Sequence, residues 1–311
     1  MKTLAVILRE PHRLDLDRVE LLGLSENDVI VDVLWSGISS GTERLLWSGR
    51  MPPFPGLGYP LVPGYETVGE IVDAGANARH RIGERVFVPG SRGFKSVRGL
   101  FGGAAQRLIV AADRATPVDV AMGDQAILLA LAATACHAIR VGGLPELIVG
   151  HGVLGRLIAR VTMAEGAPAP TVWETRASRR SGATGYPVID PAEDATADRG
   201  IIMDASGDAG LLDTLIARLR RGGAVVLAGF YEQPLAFTFP PAFMREAMIR
   251  IAAEFRPEDV DRALTLVRSG RLSLDGLVTH RFPPPAAAEA YRTAFEDPDC
   301  VKALITWRAS A

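Results

Sequence analysis

Leu147-Ile148-Val149-Gly150-His151-Gly152-Val153-Leu154-Gly155 is the stretch that decides the fold. Its first three residues are an apolar run of the kind that forms a buried strand. Leu154, Leu157, Ile158 and Val161 then follow at the i, i+3, i+4 and i+7 spacing of an amphipathic helix. Between strand and helix, Gly150 to Gly155 spells G-x-G-x-x-G. In that setting Gly150 allows the tight turn, Gly152 lets a pyrophosphate approach the backbone and Gly155 lets helix pack on strand. The N–H groups opening the helix at Val153 and Leu154 face the phosphates. His151, inside the loop, has two open readings: a donor to phosphate, or a side chain in solvent.

Working outward, Thr171-Val172-Trp173-Glu174 reads as the next strand, and Glu174 lies 19 positions after Gly155 (174 minus 155). A carboxylate there accepts hydrogen bonds from the adenosine ribose hydroxyls, which favours NAD over NADP, with Arg176 able to soften the preference. Ile201–Asp204, a helix carrying Leu211, Leu212, Leu215, Ile216 and Leu219, and Ala224–Ala228 continue the alternation. Strands alternating with helices imply a doubly wound parallel sheet, a Rossmann unit. Ser206 and Gly229, just past two of those strands, complete the candidate cofactor set.

The rest of the chain bounds the function. Its 34 basic and 36 acidic side chains, scattered over 311 residues for a formal charge of -2, leave no footprint for nucleic acid or an anionic membrane. The length suits two domains, and 48% hydrophobic content excludes disorder. Cys136 and Cys300 lie too far apart in sequence for a cysteine-built zinc site or a disulfide framework. The longest uncharged stretch, Ala126 to Ile139, is 14 residues, short of the roughly 20 that span a bilayer. With no signal-peptide pattern at Met1–Arg9, the expectation is a buried helix in a cytoplasmic protein.

Before that helix the texture is strand-rich: Leu4–Leu8, Val29–Leu34, Val68–Val72, Arg85–Val88 and Arg107–Val110, punctuated by Gly and Pro. After Arg256, Pro257-Glu258-Asp259 starts a helix, and Pro283-Pro284-Pro285 precedes another helix and a last strand, Lys302 to Trp307. The expected division is 1–130 as the first lobe, 131–256 as the Rossmann NAD-binding domain and 257–311 as a return segment.

This order of parts, with Val278-Thr279-His280-Arg281-Phe282-Pro283 in the return, resembles the medium-chain dehydrogenase/reductase superfamily over essentially the whole chain. The resemblance implies an α/β protein in which lobe and return form one GroES-like catalytic domain beside the Rossmann domain. Gly64-Tyr65-Glu66 stands where zinc-dependent members carry Gly-His-Glu, and Ser40-Gly41-Thr42-Glu43 where they carry Cys-Gly-Thr-Asp. Catalytic zinc wants three N, S or O ligands. Ser40 and Tyr65 are poor neutral ligands, and Pro89–Gly103, where the superfamily's four-cysteine lobe would lie, has no cysteine. The expectation is an enzyme without metal.

Ser36 to Pro55, continuing through Gly58 to Glu66, is narrower in its likeness: it resembles the 3-hydroxyethyl bacteriochlorophyllide a dehydrogenases of bacteriochlorophyll synthesis. That resemblance implies NAD-linked oxidation of a 1-hydroxyethyl group to acetyl on a tetrapyrrole. Tyr65, with Glu66, Ser40 and Thr42 around it, is then either the proton acceptor, given a lowered pKa or a water, or a filler of the metal's volume. Thr134 and His137, in a segment that approaches the nicotinamide in similar proteins, are candidates for orienting the ring and relaying a proton. A satisfied histidine on a buried helix is the other reading of His137. Trp47 to Tyr59 is the expected rim of a flat apolar slot, with Arg44, Arg50, Arg92 or Arg98 for the substrate's propionate. Two other readings stay open: a zinc-free quinone or enoyl reductase acting on an activated C=C bond, and a non-catalytic dinucleotide-binding protein. A homodimer is expected by analogy with the superfamily.

Overall fold

The computed structural model describes residues 1–53 and 55–308. The chain divides into two compact units, one of Met1–Ala130 with the residues from Leu277 on, the other Leu131–Gly276. Residues 257–276, expected in the return segment, thus belong to the second unit. The cause is the helix starting at Pro257: its inward residues Val260, Ala263 and Leu264 are buried, and Asp259 bonds to the helix carrying His137 and Arg140.

The first unit begins with β1 (Lys2–Glu10), β2 (Arg13–Glu20), β3 (Asp28–Ile38), helix α1 (Thr42–Ser48), β4 (Leu61–Val62) and β5 (Thr67–Ala74). β6 (Arg85–Val88), β7 (Arg98–Gly99), β8 (Arg107–Ala111) and β9 (Thr116–Pro117) follow. Helix α2 (Leu129–Gly142) starts at the end of the first unit and lies mostly in the second, which goes on with β10 (Leu147–Val149), α3 (Val153–Ala164), β11 (Thr171–Trp173), β12 (Val188–Ile189) and β13 (Arg199–Asp204). The second unit continues with α4 (Leu212–Arg218), β14 (Leu219–Leu227), α5 (Phe239–Met244), β15 (Met248–Ile251) and α6 (Pro257–Arg268). The return supplies β16 (His280–Phe282), α7 (Ala287–Glu296) and β17 (Ala303–Thr306).

In the second unit six strands lie in the order β12-β11-β10-β13-β14-β15, every pair parallel. This is the doubly wound order that reverses direction between β10 and β13, and the crevice at the strands' carboxyl ends there is where such sheets bind ligands. Its core gathers Leu147, Val149, Ile202, Leu215, Ile216 and Val225. The helical run Val120–Gly142 is long and apolar enough to cross a membrane by length and composition, but it is mostly buried within the fold.

The first unit holds a four-stranded sheet, β2-β1-β4-β7, and a larger one ordered β16-β17-β3-β5-β6-β9 with β8 also on β3. Two registers in the larger sheet build the site. Antiparallel pairing of β3 with β5 sets Ser36 opposite Thr67, and pairing of β17 with β3 sets Ala303 opposite Ile38. The residues just past these pairs, Ser39, Tyr65–Glu66 and Lys302, are thereby brought together.

Candidate active site

Ser39 begins the loop between β3 and α1, and Tyr65 and Glu66 immediately precede β5. The hydroxyls of Ser39 and Tyr65 lie 2.7 Å apart. Thr42 is near enough to favour the ionised phenol, whose ring meets Phe101 edge-on at 5.1 Å between centroids. Ser40 is exposed, one residue outside this contact. The site expected around Ser40 is therefore built on Ser39, because the loop turns Ser39 inward, where its N–H donates to Glu43 Oε1 at 3.1 Å.

Glu66 is fully buried and its two oxygens accept from Lys302 Nζ at 2.7 and 2.8 Å; the third ammonium proton goes to Ile38 O at 3.1 Å. Gly37 makes room for this carboxylate: a Cβ there would stand 2.2 Å from Glu66 Oε2. A zinc ion does not fit these residues. The one anionic candidate already neutralises an ammonium, and the other two positions carry neutral hydroxyls, one bonded to Ser39 and one in solvent. Among the described residues no group of three or more His, Cys, Asp or Glu is placed to hold a metal.

Burial sets the protonation states. It pushes the Tyr65 phenol above its ordinary value of 10.0, and the neighbouring Glu66 and Glu43 push the same way against the pull of Ser39 and Thr42. This is opposite to the shift a tyrosinate base needs. Burial also raises the Glu43 carboxyl to about 7, against hydrogen bonds from Ser39 N–H and from Tyr291, whose hydroxyl donates to Oε2 at 2.8 Å.

Beside Tyr65, the predicted rim is apolar and aromatic. Trp47, Leu57, Tyr59 and Phe101, each half-buried, pack on a cluster that includes Leu45, Leu46, Met51 and Leu100. Tyr59 is pinned by its hydroxyl to Leu46 O. Phe54 lies outside the described residues. All four candidate arginines are exposed; Arg50 lies within the rim segment, and Arg98 stands across Gly58, bonded to Leu57 O at 3.4 Å.

In the second unit the glycine loop has the shape its sequence demands. Gly150 has φ +95°, and a Cβ on Gly155 would lie 1.9 Å from Gly150 O. Gly152 caps α3 with open space where a side chain would be, so the backbone N–H groups of the first turn are approachable. The Ser206 backbone lies against Gly150, and Gly229 closes on Gly207, which gathers these residues at the carboxyl ends of β10, β13 and β14. The Ser206 hydroxyl donates to Asp204 at 2.6 Å. Glu174 accepts from the N–H of His151 at 3.3 Å and of Arg176 at 2.9 Å, so its carboxylate is fixed beside the loop; the Arg176 side chain is exposed. These residues fit a dinucleotide.

His151 follows neither of its two expected readings. Its buried ring donates from Nδ1 to Arg179 O at 2.7 Å and accepts at Nε2 from Tyr186 at 2.9 Å, and burial lowers its pKa to about 4. It ties the glycine loop to residues 179–186, helped by buried Arg156, which donates to the carbonyls of His151, Ser181 and Gly182. On α2, Thr134 is half-buried, and His137 donates from Nδ1 to Asp259 at 2.8 Å, while Arg140 donates to the same carboxylate. Burial alone would raise Asp259, but Arg140, Arg256 N–H and His137 hold it at about 2. His137 is thus a satisfied histidine joining α2 to α6.

Residues 25–120 match the alcohol dehydrogenase GroES-like domain. The chain is 54% identical, over 100% of its own length and 100% of the relative's, to 2-desacetyl-2-hydroxyethyl bacteriochlorophyllide A dehydrogenase from Cereibacter sphaeroides. The chain belongs to the medium-chain dehydrogenase/reductase superfamily. Solved structures repeat the fold. A short chain alcohol dehydrogenase from Escherichia coli complexed with NADH has TM-score 0.86 at 21% identity, covering 98% of this chain and 99% of that one. A zinc-binding dehydrogenase from Sinorhizobium meliloti bound to NADP has TM-score 0.84 at 19% identity, with the same coverage of both. At such identities the likeness carries the fold alone, and the two differ in their dinucleotide.

Four residues of the site were not singled out from sequence: Ser39, Tyr291, Lys302 and Arg156. Lys302 alone carried a signal, as one of three lysines in a chain whose basic side chains are otherwise arginine.

Proposed function

We propose that this protein is a cytoplasmic dehydrogenase that oxidises the C3 1-hydroxyethyl group of a bacteriochlorophyllide, or of the chlorophyllide analogue, to acetyl with NAD and without zinc. The observation that carries the reading is the 54% identity over both full lengths with the relative of that name. NAD is favoured by Glu174, held where an added 2′-phosphate would meet like charge. Two buried free cysteines suit a reducing compartment.

When bound, the dinucleotide supplies the hydride acceptor, at the end of the sheet bounded by Gly150, Gly152, Ser206 and Gly229. The chain's own residues must orient the alcohol and carry off its proton. The Tyr65 phenol, kept protonated by burial, does this as one member of a hydroxyl relay. It takes the alcohol proton as it gives its own to Ser39 or Thr42, and the proton passes on to water, so no free tyrosinate forms. A ketone formed next to the macrocycle joins its π system, which lowers the intrinsic barrier and reduces the need for a metal. The neutral hydroxyls at the two other ligand positions, with Lys302 on both oxygens of Glu66, support the zinc-free reading. The aromatic rim of Trp47, Tyr59 and Phe101 suits a flat apolar substrate.

A second copy of the chain is the proposed partner. β15 is an edge strand of the parallel sheet, and Ile251 on it is 71% exposed; on the preceding helix Met244 and Phe239 are 70% and 66% exposed. An apolar open edge of this kind is covered by an antiparallel copy of itself in an isologous dimer.

The test is oxidation of the hydroxyethyl macrocycle by chelator-treated protein with NAD. Turnover that returned only with added zinc would contradict the zinc-free reading.

A further inference from the structure

We propose that Ser39 is the positioning residue for the Tyr65 hydroxyl, held in place from behind by Glu43 and Tyr291. The inference rests on the reading of Tyr65 as the group that meets the substrate oxygen. Ser39 is 5% exposed, and its hydroxyl touches the phenol oxygen at 2.7 Å. Its own backbone is fixed in turn: the Ser39 N–H donates to Glu43 Oε1 at 3.1 Å, and Tyr291 donates to Glu43 Oε2 at 2.8 Å. Glu43 is fully buried and Tyr291 is 1% exposed, so the chain of contacts runs from the core of the first unit to the phenol.

A phenol oxygen has one proton to give and can accept at its lone pairs. With Ser39 bonded to it at 2.7 Å, the direction left for an incoming alcohol is narrowed. Ser39 acts on the reaction by fixing that direction. Ser40, the neighbour that the motif brings forward, points into solvent and does not.

The test measures kcat, KM and thermal stability for Ser39→Ala, Ser39→Thr, Tyr65→Phe and the double variant Ser39→Ala/Tyr65→Phe. Ser39→Ala lowers kcat about fivefold to tenfold, the worth of one hydrogen bond, with the KM for dinucleotide unchanged. Ser39→Thr, which keeps the hydroxyl, restores most of it. In the Tyr65→Phe background, removing Ser39 costs nothing further. Losses that multiply in the double variant, or a Ser39→Ala enzyme at full turnover beside an impaired Tyr65→Phe enzyme, overturn the proposal while leaving Tyr65 in the mechanism. A Tyr65→Phe enzyme at full turnover fails the underlying reading, and the proposal with it. If Ser39→Ala does not fold, Ser39→Cys keeps the volume with a weak donor and is held to the same loss of kcat.

Discussion

The ammonium of Lys302 sits against both carboxylate oxygens of Glu66, at 2.7 and 2.8 Å, across 236 positions of sequence, and neither residue is more than 2% exposed. A buried pair of this kind adds little net stability, because desolvation offsets the attraction, but leaving one partner alone is costly. Lys302→Met strands a buried carboxylate and lowers unfolding free energy by about 3–5 kcal/mol. The double variant Lys302→Met/Glu66→Gln recovers much of that loss. Denaturant unfolding measures both, and a single variant as stable as the parent would show that the pair is not closed in solution.

Glu43 makes stability depend on pH in an unusual direction. Its pKa is about 7 in the folded protein against 4.5 ordinarily, so between these values the folded state holds the extra proton. Stability from this group is greatest below about 4.5 and falls as pH rises to about 7, by a few kcal/mol at most. His151 works the other way. Its folded value of about 4 lies below its ordinary 6.5, so stability rises with pH across that interval. The two slopes oppose each other where they overlap. Glu43→Gln removes the first, and denaturation midpoints of that variant climb between pH 4 and 6.5. A midpoint that still fell from pH 5 to 7 in Glu43→Gln would place the titration elsewhere.

Glu174→Ser removes the fixed carboxylate beside the glycine loop. The ratio of kcat/KM for NADP to that for NAD rises at least about tenfold, since one like charge facing a 2′-phosphate is worth about 1.4 kcal/mol or more at partly screened distances. Steady-state kinetics with both dinucleotides reads this out. An unchanged ratio would remove Glu174 from cofactor choice.

Ile251→Glu puts a charge on the open apolar edge of β15. The expected result in sedimentation is a dimeric parent and a monomeric variant, with the fold of each unit kept. A parent that sediments as a monomer would contradict the assignment of that edge.

What sequence shows of this molecule follows from how local each constraint is. The glycine loop between β10 and α3 is legible because strand, turn, glycine spacing and helix lie within a few residues and share one physical reason. The same holds for Glu174 at the end of the next strand. Lys302 is marked in the sequence only by its rarity as a lysine, and its pairing with Glu66 is not legible there because only the register of β17 on β3 brings the two together. Ser39 was displaced by its neighbour because a motif matched on Gly41-Thr42-Glu43 fixes the loop only to within one residue, and the inward turn is a tertiary choice. His151 and α6 misled for a related reason. A histidine in a phosphate loop and a helix after a proline are each defined by what packs on them, here Tyr186 with the Arg179 carbonyl, and the Asp259 bonds to α2.

The measurement that bears most directly on the proposed activity is the absorption spectrum of the purified protein with 3-hydroxyethyl bacteriochlorophyllide a and NAD, repeated with NADP. Converting hydroxyethyl to acetyl extends the conjugation of the macrocycle. The account predicts a red shift of the long-wavelength band in step with NADH formation, faster with NAD than with NADP. No shift with either dinucleotide, in protein shown to bind NAD, would contradict it.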